Sequence, residues 1–499
     1  MRLLARKRRS FGPENNMTAD ANRGSLFLPA AGYRWDGNLN NVGSNGNYWS
    51  SSLNTNNPNN AWNFNFNSNN YNMNNNNRNN GQSVRAVRST RQHLPETSVF
   101  HLTRERLLSD LRQAYYDARR HKRNKPYQQR FEANLESNLN ELCDELFYRS
   151  YHPHPSTCFI ITDPKKREVF AAEFRDRIVH HLYYNYTHVL FERTFIHDTY
   201  SCIKNRGTHY GIKRLEQHIR KESQNYTVPC YVMKMDIRGY FMHIDRIRLL
   251  EICYSTIDKM ACHRVSCHRT ERWVEVIDVD FVKYLTGVIV MLNPIDDCRV
   301  KGLKSDWDDL PNDKSLFHSP PNCGLPIGNL TSQLFSNVYL NVLDQFMKRD
   351  LKCHHYGRYV DDFYVVSADK EWLHSIVPKV KDFLIDKLGL SFHDGKLKIT
   401  SVWHGVEFLG AWVKPHRIYV SRNCVGRIDI KLDTLVSITP QKWPAALNSY
   451  CGIMSHWNNY NIRKNLLIKR HNFTSIGMFN HDIRQYYLLS CQYLAQIPY

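Results

Sequence analysis

The sequence predicts an α+β protein with a helical C-terminal unit and an N-terminal stretch that is largely irregular. Three observations carry this. Strand-like apolar runs alternate with helical periodicity across residues 150–415, the pattern of a mixed body. After Arg422 the periodicity is mostly helical. Near residue 90 the composition shifts sharply: 22 of the 43 residues from Asn38 to Asn80 are Asn, which favours turns and is poor in helix interiors.

The elements follow in order. Trp62, Phe64 and Phe66 alternate as a short strand would, but nothing nearby offers that strand a core. Leu107, Leu108, Leu111 and Tyr115 predict a helix within His101–Arg123. Leu135, Leu139, Leu142 and Leu146 predict another within Phe131–Arg149, and Phe174–Phe191 a third. Pro229–Ile237 reads as a buried strand ending at an acid. Gly328–Leu343 reads as a loop entering a helix. His355–Ser367 reads as strand–turn–strand, Phe383–Leu388 as a helix end and Gly405–Val413 as a further hairpin. The expected divisions are 1–92, 93–228, 229–404, 405–421 and 422–499.

Composition narrows the function. The chain has 499 residues, with 67 Lys+Arg against 47 Asp+Glu, a formal charge of +20. A basic surface gains affinity for polyanions by releasing counterions from phosphates. The longest apolar run, Leu285–Leu292, is far short of the ~18 residues that span a bilayer, and Met1–Ser10 is basic without an apolar stretch. A cytoplasmic protein with no membrane partner is expected. The 13 Cys are odd in number and scattered, which reads as reduced thiols. Cys262-His263 and Cys267-His268 match zinc spacing poorly.

The chemistry gathers on three aspartates. Asp236 ends the apolar strand of MKMDIRGYF, and Asp361 and Asp362 occupy the tight turn of GRYVDDFYVVS. A carboxylate at the end of a buried strand is costly unless compensated. Adjacent carboxylates repel, and bound divalent cations remove that repulsion. Mg²⁺ prefers such hard oxygen ligands and leaves room for phosphate oxygens. Asp296-Asp297 and Asp308-Asp309 read as solvated loop acids.

With DIRGYF, GLPIGNLTSQ, YVDD, a Lys-bearing block and GVEFLG in this order over about 155–460, the sequence resembles reverse transcriptases. The resemblance implies a right-hand polymerase of fingers, palm and thumb, with an antiparallel palm sheet and a helical thumb. It implies RNA-directed DNA polymerase activity through two Mg²⁺ ions, with Mn²⁺ as a substitute, held by Asp236, Asp361, Asp362 and the Ile237 carbonyl. Phe241 matches the ring that excludes a ribose 2′-hydroxyl. Ile327, Gly328 and Gln333 match the segment packing on the incoming nucleotide and template; Ser332 and Gln333 could instead cap the helix start. Tyr359 and Val360 would lie against the primer terminus. Arg167 and Arg175 fall in one finger block and Arg206 in a second, where Ile203 replaces a basic residue and Asn205 a glycine. Lys396 matches a lysine near the pyrophosphate, able to act as general acid. Gly405, Phe408, Leu409 and Gly410 resemble the primer grip.

Within that family GNLTSQ, RDRIVHH and LNSYCGIMSHW resemble the enzymes of diversity-generating retroelements. Gly32–Arg88 resembles the variable stretch of a C-type-lectin-like target, or a translated template repeat, since Asn codons begin with two adenines and these elements mutate adenines. The resemblance implies template RNA, a DNA or RNA primer, dNTPs and a small basic helical accessory protein as partners. Rival readings are a phage-defence or group II intron-like reverse transcriptase and a non-catalytic nucleic-acid-binding protein.

Overall fold

The computed structural model describes residues 33–35, 38–53, 59–68, 70–77, 81–82, 102–120, 122–163, 165–261 and 278–489. The chain divides into two compact units, Met1–Val99 and Phe100–Tyr499.

The first unit corrects the expectation of a largely irregular stretch. Strands β1 (Tyr33–Trp35), β2 (Asn38–Asn40), β3 (Gly46–Leu53), β4 (Asn60–Phe66), β5 (Tyr71–Asn77) and β6 (Gly81–Gln82) form two antiparallel sheets, ordered β2-β1-β6 and β3-β4-β5. Phe64 pairs with Tyr48 and Met73, and Phe66 with Gly46 and Tyr71. The partners missing from the sequence pattern are therefore cross-strand neighbours: the Tyr48 and Phe66 rings stack at 6.2 Å. On the alternate face Asn47, Asn65 and Asn72 stand in one row, and on the aromatic face Asn60 Nδ2 donates to Asn75 Oδ1 at 2.9 Å. Cross-strand amides offset the poor strand propensity of Asn.

The second unit begins with helices α1 (Arg104–Arg119), α2 (Pro126–Ala133) and α3 (Leu135–Phe147). The helix expected over Phe131–Arg149 is thus broken at Asn134. Strands β7 (Ser156–Ile161) and β8 (Arg167–Ala171) form a hairpin, followed by α4 (Phe174–Glu192) and α5 (Thr208–Glu222). Next come β9 (Tyr231–Asp236), α6 (Arg246–Ala261), α7 (Val279–Met291) and β10 (Cys298–Val300), which pairs in parallel with β7. Helix α8 (Leu330–Gln345) leads to β11 (His355–Tyr359), β12 (Asp362–Ser367), α9 (Lys370–Phe383) and β13 (Lys398–Ser401).

The central sheet is antiparallel, ordered β11-β12-β9-β13. Both faces are covered, and strand alternation decides which residue goes where. Met233, Met235, Phe363 and Val365 enter the large core with α1, α3, α4 and α6–α9. Val232, Tyr364 and Val366 enter a second core with Ile212, Leu215 and Ile219 of α5. That second core is closed by a sheet of β14 (Val406–Phe408), β15 (Ala411–Lys414) and β16 (Arg417–Val420). The C-terminal unit packs α10 (Arg422–Val436) and α11 (Trp443–Ser455) around Leu432, Leu447 and Phe473. It also holds a hairpin of β17 (Gly477–Phe479) and β18 (Tyr486–Leu488), where the sequence pattern read helix. No helix among the described residues is long and apolar enough to cross a membrane. The ten described cysteines are free thiols. Cys262, His263, Cys267 and His268 lie outside the described residues.

Candidate active site

Register brings the acids together. Asp236, the last residue of β9, is the cross-strand partner of Asp362, the first of β12, and directly opposed side chains share a face. Asp362 also pairs with Tyr359, so the turn between β11 and β12 is the two residues Val360 and Asp361. Lys234, Asp236, Asp362 and Tyr364 share the face that α5 covers further along. The acids thus emerge where that second core ends.

The electrostatics are those of crowded carboxylates. Burial, with the charge of Asp236 next in weight, pushes Asp361 up to about 6. Burial raises Asp362 to about 6 against the opposing pull of Lys234. Two lysines act as tethered counterions. Lys396 Nζ donates to both oxygens of Asp236 at 3.0 Å. Lys234 Nζ lies 3.6 Å from Asp362 Oδ1 and 5.6 Å from the Phe408 ring centroid. Sequence reasoning missed Lys234; its position two residues before Asp236 on one strand face was the available signal.

Among the described residues no three His, Cys, Asp or Glu side chains form a closed metal-ligating set, and the Asp236 carboxylate faces Lys396 instead. The donor chemistry nevertheless suits a hard divalent cation. Asp361 and Asp362 lie near Asp236, burial and then its charge raise both of their pKa values, and a divalent cation would offset that penalty on the ionised forms. Beside them, His393 N–H donates to the Asp236 carbonyl and Arg238 N–H to the Ser391 carbonyl, both at 2.9 Å. Neither bond uses the Ile237 carbonyl.

The neighbouring segments are fixed by glycines. Gly239, at φ +52°, turns the chain into the short helix Tyr240–Met242 and places half-buried Phe241 five residues after Asp236. Gly328, at φ +131°, lies so close to β8 that a Cβ would sit 2.8 Å from the Phe170 carbonyl oxygen. Ile327 accepts from Phe170 N–H at 2.9 Å and packs beside Phe170. Gln333 is exposed on the first turn of α8, where its Oε1 accepts from the Cys202 thiol at 3.3 Å. The residue at the helix cap is Asn329, not Ser332 or Gln333. Tyr359 is half-buried, and burial raises its phenol.

Other expected contacts land differently. Arg167 is exposed at the start of β8. Arg175 is committed to Glu145 and to the His152 carbonyl, and lies over the Tyr151 ring. Its guanidinium ties α4 to α3. Arg206 Nη1 donates to the Thr199 carbonyl at 2.9 Å and so braces its own loop. In that loop Asn205 adopts φ +64°, a conformation Asn tolerates better than most residues. Phe408 is fully buried, its ring centroid 5.1 Å from that of Tyr364, and so belongs to the hairpin core, whereas half-buried Leu409 packs against the α5 core. Leu409 and Gly410, at φ +50° and +80°, make the tight turn between β14 and β15. Gly405 is required by Trp412, whose Nε1 would lie 2.3 Å from a Cβ.

A family model described as Reverse transcriptase (RNA-dependent DNA polymerase) matches residues 164–413, half of the chain, and the chain belongs to that family. A right-hand polymerase fold accords with this membership and with the mixed helix and sheet body. Residues 14–87 match a model described as Domain of unknown function (DUF8237). No curated protein matches the chain. Among solved structures it is similar to apo telomerase from Candida tropicalis truncated from the C-terminal domain, with TM-score 0.39 and 12% identity over 57% of this chain and 60% of that one. For telomerase from Candida albicans in complex with a TWJ fragment of telomeric RNA the TM-score is 0.38, with 10% identity over 65% and 56% of the two chains. The chain spans about three-fifths of the length of these telomerases.

Proposed function

We propose that the chain is an RNA-directed DNA polymerase that copies a template-repeat RNA into cDNA mutated at adenines, as part of a diversity-generating retroelement. The observation that carries the polymerase reading is the in-register pairing of Asp236 with Asp362 beside Asp361, within the stretch matched by the family model. Asp236, Asp361, Asp362 and the Ile237 carbonyl would hold two Mg²⁺ ions. Bound there, such ions lower the pKa of a primer 3′-hydroxyl and neutralise charge developing on the leaving pyrophosphate. The chain's own residues do the rest. Phe241 presents a ring where a ribose 2′-hydroxyl would crowd it. Lys396 carries a mobile proton and positive charge beside Asp236 and donates to the pyrophosphate as it leaves. Gly328 lets the loop before α8 run close to β8, so that Ile327 and Gln333 face the nascent pair.

The retroelement reading is supported by the GNLTSQ, RDRIVHH and LNSYCGIMSHW stretches and by the Asn-rich segment. Template RNA, a primer, dNTPs and a small basic helical accessory protein are the partners, in a cytoplasmic setting. Sequencing cDNA made in vitro on a template containing all four bases tests this. Errors concentrated opposite adenine are expected; errors spread evenly over the four bases overturn the retroelement assignment and leave the polymerase one standing.

A further inference from the structure

The turn that presents Asp361 is strained. Val360 sits at φ +55°, a left-handed conformation that is strained for a β-branched residue and persists only where its surroundings impose it. Here they engage both polar groups of its backbone. Val360 N–H donates to Ser201 Oγ at 3.2 Å. Its carbonyl accepts from Arg358 Nη1 at 2.8 Å.

Those two partners belong to one buried network. Arg358 is fully buried and pairs with Asp344 of α8 through Nε to Oδ1 at 2.8 Å and Nη2 to Oδ2 at 2.6 Å. Asp344 also accepts from the Tyr356 hydroxyl at 2.6 Å and from Thr199 Oγ1 at 3.2 Å. Asn337, one helical face along α8, joins the two arms. Its Oδ1 accepts from Arg358 Nη1 at 3.2 Å and from Ser201 Oγ at 3.0 Å, and its Nδ2 donates to the Ser201 carbonyl at 2.8 Å. The main chain of Arg358 is held as well, by Asp198 and Tyr200 at 2.9 Å each.

An ion pair taken wholly out of water adds little net stability over a well-packed apolar pair. What this one does is geometric: it converts the packing of α8 and of the 198–201 loop into a fixed orientation for one peptide. We propose that Ser201, Asn337, Asp344 and Arg358 form a clamp on the Val360 peptide that holds Asp361 beside the Asp236–Asp362 pair, and that they are positioning residues for nucleotidyl transfer. This rests on the reading of Asp236, Asp361 and Asp362 as the cation-holding acids.

The test is a double-mutant cycle on the purified full chain, read by primer extension with Mg²⁺ titrated. Ser201→Ala removes the acceptor for Val360 N–H without stranding a charge. It is expected to lower kcat about tenfold and to raise the half-saturating Mg²⁺ several-fold, with KM for dNTP and affinity for template–primer changed less than about twofold. Glycine adopts φ +55° without strain, so in a Val360→Gly background the same Ser201→Ala change is expected to cost less than about threefold. Equal losses in both backgrounds, or an unchanged kcat and Mg²⁺ requirement, overturn the clamp. Asp361→Asn separates the two levels. If it extends like the wild type, the cation-holding reading fails. If it is inactive while Ser201→Ala behaves as wild type, only the clamp fails. Should Ser201→Ala not fold, Ser201→Cys, which keeps the volume and weakens the hydrogen bonds, takes its place in the same cycle with the same expectations.

Discussion

Asp361 and Asp362 keep their protons up to about pH 6 because burial disfavours the ionised forms, with Asp236 adding repulsion at Asp361. Their folded values lie above the ordinary carboxylate value, so without cations the native state binds more protons than the unfolded chain between about pH 4 and 6, and stability falls as pH rises through that window. At pH 7.5 millimolar Mg²⁺ is therefore expected to raise the thermal midpoint by a few degrees, and at pH 5 by almost nothing; equal shifts in scanning calorimetry would count against the assignment. His180 works in the opposite direction. Burial, then His181 and Arg177, drives its imidazole down to about 4, and its Nδ1 meets Thr331 Oγ1 of α8 at 2.8 Å. The unfolded chain takes up this proton first, so stability is lost as pH falls from about 6.5 toward 4. His180→Gln is expected to flatten that acid loss in urea midpoints compared at pH 7 and 5. An unchanged slope would show that another group carries it.

At the scale of elements, the backbone demands single out certain glycines. Gly239→Ala must adopt φ +52° with its Cβ 2.6 Å from the Asp313 carbonyl oxygen, and is expected to cost about 1–3 kcal/mol in urea unfolding. Gly426→Ala, in α10 with open space around its Cβ, is expected to gain about 0.5–1 kcal/mol. Equal effects would mean that Gly239 is not under strain. The strands of the central sheet were readable in sequence because apolar runs end at acids and at a two-residue turn. What escaped was pairing that depends on distant residues. Arg358, one residue before YVDD, gives no sign in sequence of its buried role until Asp344 is found against it. Arg175 reads as one of the finger-block cations until Glu145 appears. Phe408 reads as a primer contact until Tyr364 covers it. The Asn-rich strands escaped because Asn disfavours strands on its own and only cross-strand amides and a shared aromatic row make up the difference.

At the scale of the whole molecule, the four hydrophobic core clusters among the described residues are built from Leu102 onward. A chain beginning at Phe100 is therefore expected to fold and to extend a primer within about twofold of the full chain, since a closed core is what autonomous folding needs. Aggregation of that shortened chain would contradict this. The formal charge of +20 predicts template–primer affinity that falls steeply between 50 and 200 mM salt with little sequence preference. The central claim, that Asp236, Asp361 and Asp362 jointly hold divalent cations, is tested most directly by counting bound Mn²⁺ by electron paramagnetic resonance in the presence of template–primer and a non-hydrolysable dNTP. The account predicts about two ions on the wild type, and a loss of at least one on Asp236→Asn and on Asp361→Asn with template–primer still bound. Full Mn²⁺ occupancy on both variants would contradict it.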